Sequence, residues 1–227
     1  MPTINSFLRF LHASPGTQAI DIYTDGNLVI KDLAYNETSE YLVVGPGNIH
    51  IKVLPAGENT TPLLDTELNI PPSEAITVPI IGTLPDISLL PILLSVAPRD
   101  NDDALIRFTN LSPTAPNTDL GIEGGATLFS NVGYTQVTEF EVIEPGSYML
   151  QLRSSDGTVL ASGTIKVKPR NAYTVYAIGL AEENPPLDIG FFTDQIPFFS
   201  QQAIPTTVFR KDNWSVSKVP RITLVYK

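Results

Sequence analysis

There is no cysteine in this 227-residue chain. That excludes disulfide staples, thiolate nucleophiles and cysteine-based zinc sites, and it leaves the compartment open. Histidine is nearly as scarce, with His12 and His50 alone, and there is a single tryptophan, Trp214. Positive charge is in deficit: 14 Lys and Arg against 24 Asp and Glu give a net charge of −10. An acidic surface repels phosphate, which argues against nucleic acid as a partner. Uninterrupted apolar runs are missing too. The most apolar window, residues 76–96, has about the length of a membrane span. It carries Pro79, Gly82, Pro85, Asp86 and Pro91, however, so it is expected to form two strands and a loop and not a transmembrane segment. The opening MPTINSFLRF lacks a basic stretch followed by a long apolar one. It is not expected to be a signal peptide, unless one has been removed ahead of it.

What the chain does have is 42% hydrophobic residues, enough for a core, with 20 prolines and 15 glycines scattered between short runs of Val, Ile, Leu, Thr and Tyr. That texture belongs to many short strands joined by turns. No segment keeps a helical period. The chain also repeats itself. FLRFLHASPG at 7–16 returns as LIRFTNLSPT at 105–114, Asp21 returns as Asp119, Pro46-Gly47 as Pro145-Gly146, and AITVPIIG at 75–82 as AYTVYAIG at 172–179. A period near one hundred residues yields whole domains and not solenoid units.

Each copy reads as strands. Leu8, Phe10 and His12 alternate with Arg9 and Leu11, the mark of a half-buried strand, and Ser14-Pro15 ends it. Asp25-Gly26 between alternating runs predicts a tight hairpin, and Glu123-Gly124-Gly125 stands at that place in the second copy. Further hairpins are expected at Pro46-Gly47 and Pro145-Gly146, and turns at Gly57-Glu58-Asn59 and Asp156-Gly157. Seven or eight short antiparallel strands per copy fit an all-β fold of two tandem immunoglobulin-like β-sandwiches. The expected boundaries are residues 1–99 and 104–195 for the sandwiches, an acidic linker at 100–103, and an extended or strand-forming tail at 196–227.

Arg9-Phe10-Leu11-His12-Ala13-Ser14-Pro15, Asp21-Ile22-Tyr23-Thr24-Asp25-Gly26, the Tyr35–Tyr41 segment with Ser39, Pro55-Ala56-Gly57 and Ala75–Gly82 together carry a pattern. It resembles the bacterial domain-of-unknown-function 4397 family. The second copy departs from it at Asn110 and Gly121, where the first has His12 and Tyr23. The resemblance covers about residues 5–195 and implies surface β-sandwich modules in tandem. It brings no established catalytic residues.

Chemistry is hard to find. Ser14, His12 and Asp21 are a conceivable nucleophilic site, but their spacing is that of one strand and its turn, and a turn-organising role is preferred. No phosphate-cradling glycine loop follows a strand and opens a helix. Glu182-Glu183 reads as solvated surface. Asp100, Asp102 and Asp103 form an acidic cluster at the junction, where calcium could rigidify a linker. A solvated, flexible hinge is the preferred reading there, and no other cofactor is expected. The sequons at Asn36, Asn59, Asn110 and Asn213 read as chance.

The tail differs from the rest. Residues 198–227 hold Arg210, Lys211, Lys218, Arg221 and Lys227 against Asp212, a net of +4 that leaves −14 on the remainder. Phe198, Phe199, Val208, Phe209, Trp214, Leu224 and Tyr226 are its candidate anchors for docking on a sandwich edge of the same chain or a neighbour. The expectation is a non-enzymatic structural or adhesive protein of a bacterial surface or spore envelope. It would assemble with copies of itself, as an oligomer or fibre, or with another envelope protein. The alternative is a carbohydrate- or small-ligand-binding module working through sandwich-end loops, with Tyr23, Tyr35 and Tyr41 as candidate stacking groups, although core or edge packing is the preferred role for those tyrosines.

Overall fold

The computed structural model describes residues 5–94 and 102–194. Among them there is no helix. The first copy supplies β1 (Ser6–His12), β2 (Ile20–Thr24), β3 (Asn27–Leu33), β4 (Leu42–Val44), β5 (Gly47–Pro55), β6 (Leu64–Ile70), β7 (Ala75–Ile81), β8 (Ser88–Leu89) and β9 (Ile92–Leu93). The second supplies β10 (Ala104–Asn110), β11 (Thr118–Ile122), β12 (Thr127–Val132), β13 (Glu141–Ile143), β14 (Gly146–Arg153), β15 (Val159–Val167), β16 (Ala172–Ile178) and β17 (Asp188–Asp194).

Each copy folds into two sheets. One runs β4-β1-β7-β8 with β9 also on β7, the other β3-β2-β5-β6. The second copy repeats them as β13-β10-β16-β17 and β12-β11-β14-β15. Between each pair lies an apolar core, built on Leu8, Phe10, Ile22, Ile51, Val53 and Val78 in the first copy and on Ile106, Phe108, Leu120, Leu150, Leu152 and Val175 in the second. The sandwich-like all-β architecture is thus present twice.

Most pairings are antiparallel, with one exception per copy. β1 runs parallel to β7 from Phe7↔Ala75 to His12↔Ile80, and β10 runs parallel to β16 in the same way. The two most repetitive lines of the sequence are therefore neighbours in space. Asp25 (φ +48°) and Gly26 (φ +81°) make the predicted tight turn between β2 and β3. Pro46-Gly47 does not make a hairpin. β4 pairs with β1, whereas β5 pairs with β2 and β6, so the chain changes sheets there. Gly47 at φ +119° permits the sharp passage. Pro145-Gly146 is the same kind of crossing, between β13 and β14.

The half-buried alternation expected of β1 is also corrected. Leu8 and Phe10 are fully buried on the core side, but Leu11 on the opposite side is fully buried as well, and Arg9 nearly so. The second copy covers that opposite face. Leu11, Ala13 and Ile81 pack with Leu111, Tyr176, Ile178 and Phe192 in a third apolar cluster, and Tyr35 and Tyr134 lie against it. Two arginines frame this seam in a reciprocal pattern. Arg9 donates through Nε to Thr77 Oγ1 (2.8 Å) and through Nη1 across the seam to Thr193 O (3.3 Å). Arg107 donates through Nε to Thr174 Oγ1 (2.9 Å) and through Nη1 back across to Leu93 O (2.9 Å). Arg9 lies over the Tyr41 and Phe192 rings, and Arg107 over Phe140. Each guanidinium is thereby buried with its charge solvated by oxygens and π faces. The two copies meet through like faces, as halves of a pseudo-symmetric pair.

Candidate functional site

Three places hold the side chains that chemistry would use. The first is the loop after β1. His12 is fully buried; its Nδ1 accepts the Ser14 amide (3.4 Å) and its Nε2 lies 3.0 Å from Gln18 O. That pattern assigns the proton to Nε2. Burial pushes the His12 pKa below its usual value, opposed by the bond to Gln18. Ser14 Oγ donates to Gly82 O (2.6 Å) and not to His12. Asp21 accepts the amides of Asp32 (2.8 Å) and Gly57 (3.0 Å). No proton relay joins the three. The second copy repeats the arrangement with different atoms. Asn110 Oδ1 accepts the Ser112 amide (3.1 Å), Ser112 Oγ donates to Gly179 O (2.7 Å), and Asp119 accepts the Asn131 amide (2.7 Å). The preferred turn-organising role accounts for every one of these contacts.

The second place is the seam between the copies, where two of the three candidate stacking tyrosines lie. Tyr35 meets His12 edge-on, with ring centroids 5.9 Å apart, and burial followed by the nearby Asp188 charge pushes its hydroxyl up to about 12. Tyr41 lies under the Arg9 guanidinium, 4.5 Å from ring centroid to Cζ. Tyr176, from the other copy, donates to Asn36 Oδ1 (2.9 Å), and burial raises its pKa as well.

The third place is the outer face of the β3-β2-β5-β6 sheet. Tyr23, the remaining tyrosine, is directly opposite Lys52, which is directly opposite Asp65. Period two puts His50, Lys52 and Leu54 on that same face. Together with Gly26 and Asn59 these residues line a shallow cleft of about 180 Å³. His50 Nε2 and Lys52 Nζ both bond Asp65, and the Lys52 bond, then that of His50, holds the Asp65 carboxyl below its usual range. His50, Lys52, Asn59 and Asp65 were not singled out from the sequence as binding groups. The alternation HIKVL was the available signal, but only the strand register brings Tyr23 beside it.

Of the acidic cluster at the junction, Asp102 is exposed and bonded through Oδ1 to two nitrogens of Arg170, each at 3.0 Å. Asp103 accepts the Arg170 amide through its backbone carbonyl (3.1 Å), and Asp100 lies outside the described residues. Among the described residues no three His, Asp or Glu side chains converge as a metal-binding group. The sequon at Asn110 is fully buried within the fold. The tail anchors Phe198, Phe199, Val208, Phe209, Trp214, Leu224 and Tyr226 all lie outside the described residues. No described helix is long and apolar enough to cross a membrane.

Comparison with known proteins bears on this arrangement as a whole. The model of a family described as a domain of unknown function, DUF4397, matches residues 6–121 and again 116–203. The chain belongs to this family. The duplicated match agrees with the duplicated sheets of this DUF4397 protein. No curated protein matches it. Among solved structures it is similar to the Bacillus anthracis TIE protein, at 10% identity and TM-score 0.25, over 76% of this chain and 33% of that one. It is also similar to a family 26 carbohydrate-binding module of Eubacterium rectale Amy13K solved with maltoheptaose, at 10% identity and TM-score 0.26, over 84% and 96% of the two chains. A candidate cell adhesion protein from Bacteroides uniformis matches at 9% identity and TM-score 0.26, over 84% and 98%. Likenesses this distant carry no argument about ligand or activity.

Proposed function

We propose that this DUF4397 protein is a non-enzymatic structural or adhesive component of a bacterial surface or envelope, with its C-terminal segment making assembly contacts. The carrying observation is that the most reactive-looking constellation, Ser14, His12 and Asp21, does the same turn-holding work as Ser112, Asn110 and Asp119. A histidine that an asparagine replaces in kind is a hydrogen-bonding part of the scaffold. Two further features support an assembly role. The strands β3, β4, β6, β12, β13 and β15 end their sheets and offer edges on which another strand can pair. The segment 198–227 carries +4 beside a body of −14, so it is attracted to such edges on its own chain or a neighbour's.

Light scattering on the full chain and on one ending at Asp194 tests this. A defined oligomer or polymer that collapses to monomer on truncation is the expected result. A monomer in both cases overturns assembly through the tail. A second reading, recognition of a carbohydrate or other small ligand, is favoured by the cleft at Tyr23, which lies on a sheet face flanked by Gly26 in the β2–β3 turn and Asn59 in the loop after β5.

A further inference from the structure

At the cleft around Tyr23 the first copy carries side chains that the same sheet of the second copy does without. The second copy is the control. Where the first has Tyr23, His50, Lys52 and Leu54, the second has Gly121, Met149, Gln151 and Arg153 on the corresponding strands. There Arg153 reaches over Gly121, so that a Cβ at 121 would meet Arg153 Nη1 at 2.9 Å. Arg153 also donates to Ile122 O (3.0 Å) and to Gln151 Oε1 (2.8 Å). The second copy thus closes this spot with its own side chains, and the first leaves it open over an aromatic ring. The sheet forms in both cases.

The lining narrows the ligand class. The Tyr23 ring offers apolar surface, with the largely buried Leu54 beside it, and Asn59 offers an amide with both donors and an acceptor. Lys52 and Asp65 neutralise each other at 3.1 Å, yet each keeps hydrogen-bonding capacity to spare, two N–H groups on one and lone pairs on the other. A cleft with an apolar floor, paired charges and a rim of donors and acceptors suits an uncharged molecule with a C–H face and several hydroxyls. Its volume of about 180 Å³ is below the range of roughly 300–1,000 Å³ typical of drug-sized ligands, so one ring fits at a time. The net charge of −10 further disfavours an anion.

We infer that the outer sheet face of the first copy, at Tyr23, Lys52, Leu54 and Asn59, is a binding site for a single ring of a neutral saccharide. This rests on the ligand-binding reading and narrows it. Tyr23 supplies the stacking surface. Lys52 and Asn59 hold the hydroxyls, and Asp65 holds Lys52 in place.

The test is a titration of the full, nitrogen-15-labelled chain followed by amide shifts. The probes are maltose, cellobiose, mannobiose and N,N′-diacetylchitobiose, with digalacturonate as the anionic counterpart. The expected result is saturable shifts at Tyr23, Lys52 and Asn59 with at least one neutral disaccharide and none with digalacturonate. Tyr23→Ala then weakens binding about tenfold, the loss for an aromatic anchor worth about 1.4 kcal/mol. Gln151→Ala, on the equivalent face of the second copy, leaves it unchanged. Asn59→Ala is the second variant, placed in a loop where loss of fold is not a concern. Shifts with digalacturonate alone overturn the neutral-sugar assignment and leave ligand binding standing. No shift with any probe overturns both. Binding that survives Tyr23→Ala and Asn59→Ala undiminished overturns this location.

Discussion

The two copies share a plan and differ in how each part of it is filled. At the loop after the first strand, an imidazole in one and a carboxamide in the other accept the same serine amide, and the serines reach the equivalent glycine carbonyls. At the seam both copies use an arginine, a threonine and an aromatic ring. On the outer face they part company, with an open cleft beside Tyr23 in one and an arginine folded over Gly121 in the other. A duplicated fold thereby separates what the scaffold demands from what it merely tolerates. Geometry of the backbone bonds is held in common, and the identity of the group that meets it is free.

The largest effects belong to the cores. Phe10 and Phe108 are fully buried at matching places. Phe10→Ala and Phe108→Ala should each cost about 3–5 kcal/mol. Because the seam ties the copies together, either change should shift one common transition in urea. Two separate transitions, one unmoved, would break the picture of a coupled pair. Next come the arginines. Arg9→Met and Arg107→Met each remove a charged donor from a buried threonine hydroxyl, worth about 2–3 kcal/mol. Arg9 should be the costlier, since two rings cover it and one covers Arg107, at roughly 0.5–1 kcal/mol per ring. Equal losses in thermal melts would remove that distinction.

Asp21 and Asp119 give a smaller contrast. Asp21→Ala frees two backbone amides and Asp119→Ala one, so losses of about 2 and 1 kcal/mol are expected from denaturant titrations. The smallest effect is a pH dependence. His12 is held neutral in the fold by burial, below its unfolded pKa of about 6.5. As pH falls through that unfolded value the unfolded chain takes up a proton and the folded chain does not. Stability is therefore full above it and drops on the acid side, by at most about 1.4 kcal/mol per pH unit until the folded group also titrates. His12→Asn should abolish this contribution, and Asn110→His should install one in the other copy. A stability–pH curve identical in wild type and His12→Asn would refute it.

Much of the strand content was legible because its signals are local. Alternation along residues 8–12, Asp25-Gly26 and the echo at 105–114 each sit within a few residues. Pro46-Gly47 shows where local signals stop. A proline–glycine pair reads the same whether the chain returns along the same sheet or passes to the other, and the decision lies with β4 finding β1 far back in the chain. Burial of Arg9 and Leu11 was hidden for a similar reason, since much of what covers them, Tyr176, Ile178 and Phe192, belongs to the second copy. For Tyr35 and Tyr41 core or edge packing is the reading the sequence prefers over ligand stacking, but that they lie at the seam with the second copy is not visible in any local signal. The cleft depended on register, which sets Tyr23 beside Lys52 and is invisible in either strand alone.

The parallel pairing of β1 with β7 has a mechanical side. Phe7 stands opposite Ala75, and Leu94 donates back to that same Ala75, so the chain enters and leaves the first copy at one end of the inner sheet. Leu105, Ala172 and Asp194 share the corresponding end in the second copy. Leu11, Ala13 and Ile81 of the seam sit toward the other end. Tension applied along the chain would therefore open each inner sheet like a zipper, bond after bond from the entry side, instead of shearing a whole strand at once. The copies would yield at low force at their mouths, and because Leu93 and Thr193 lie there, the two arginine bonds across the seam would break early while the Leu11, Ala13 and Ile81 contacts held.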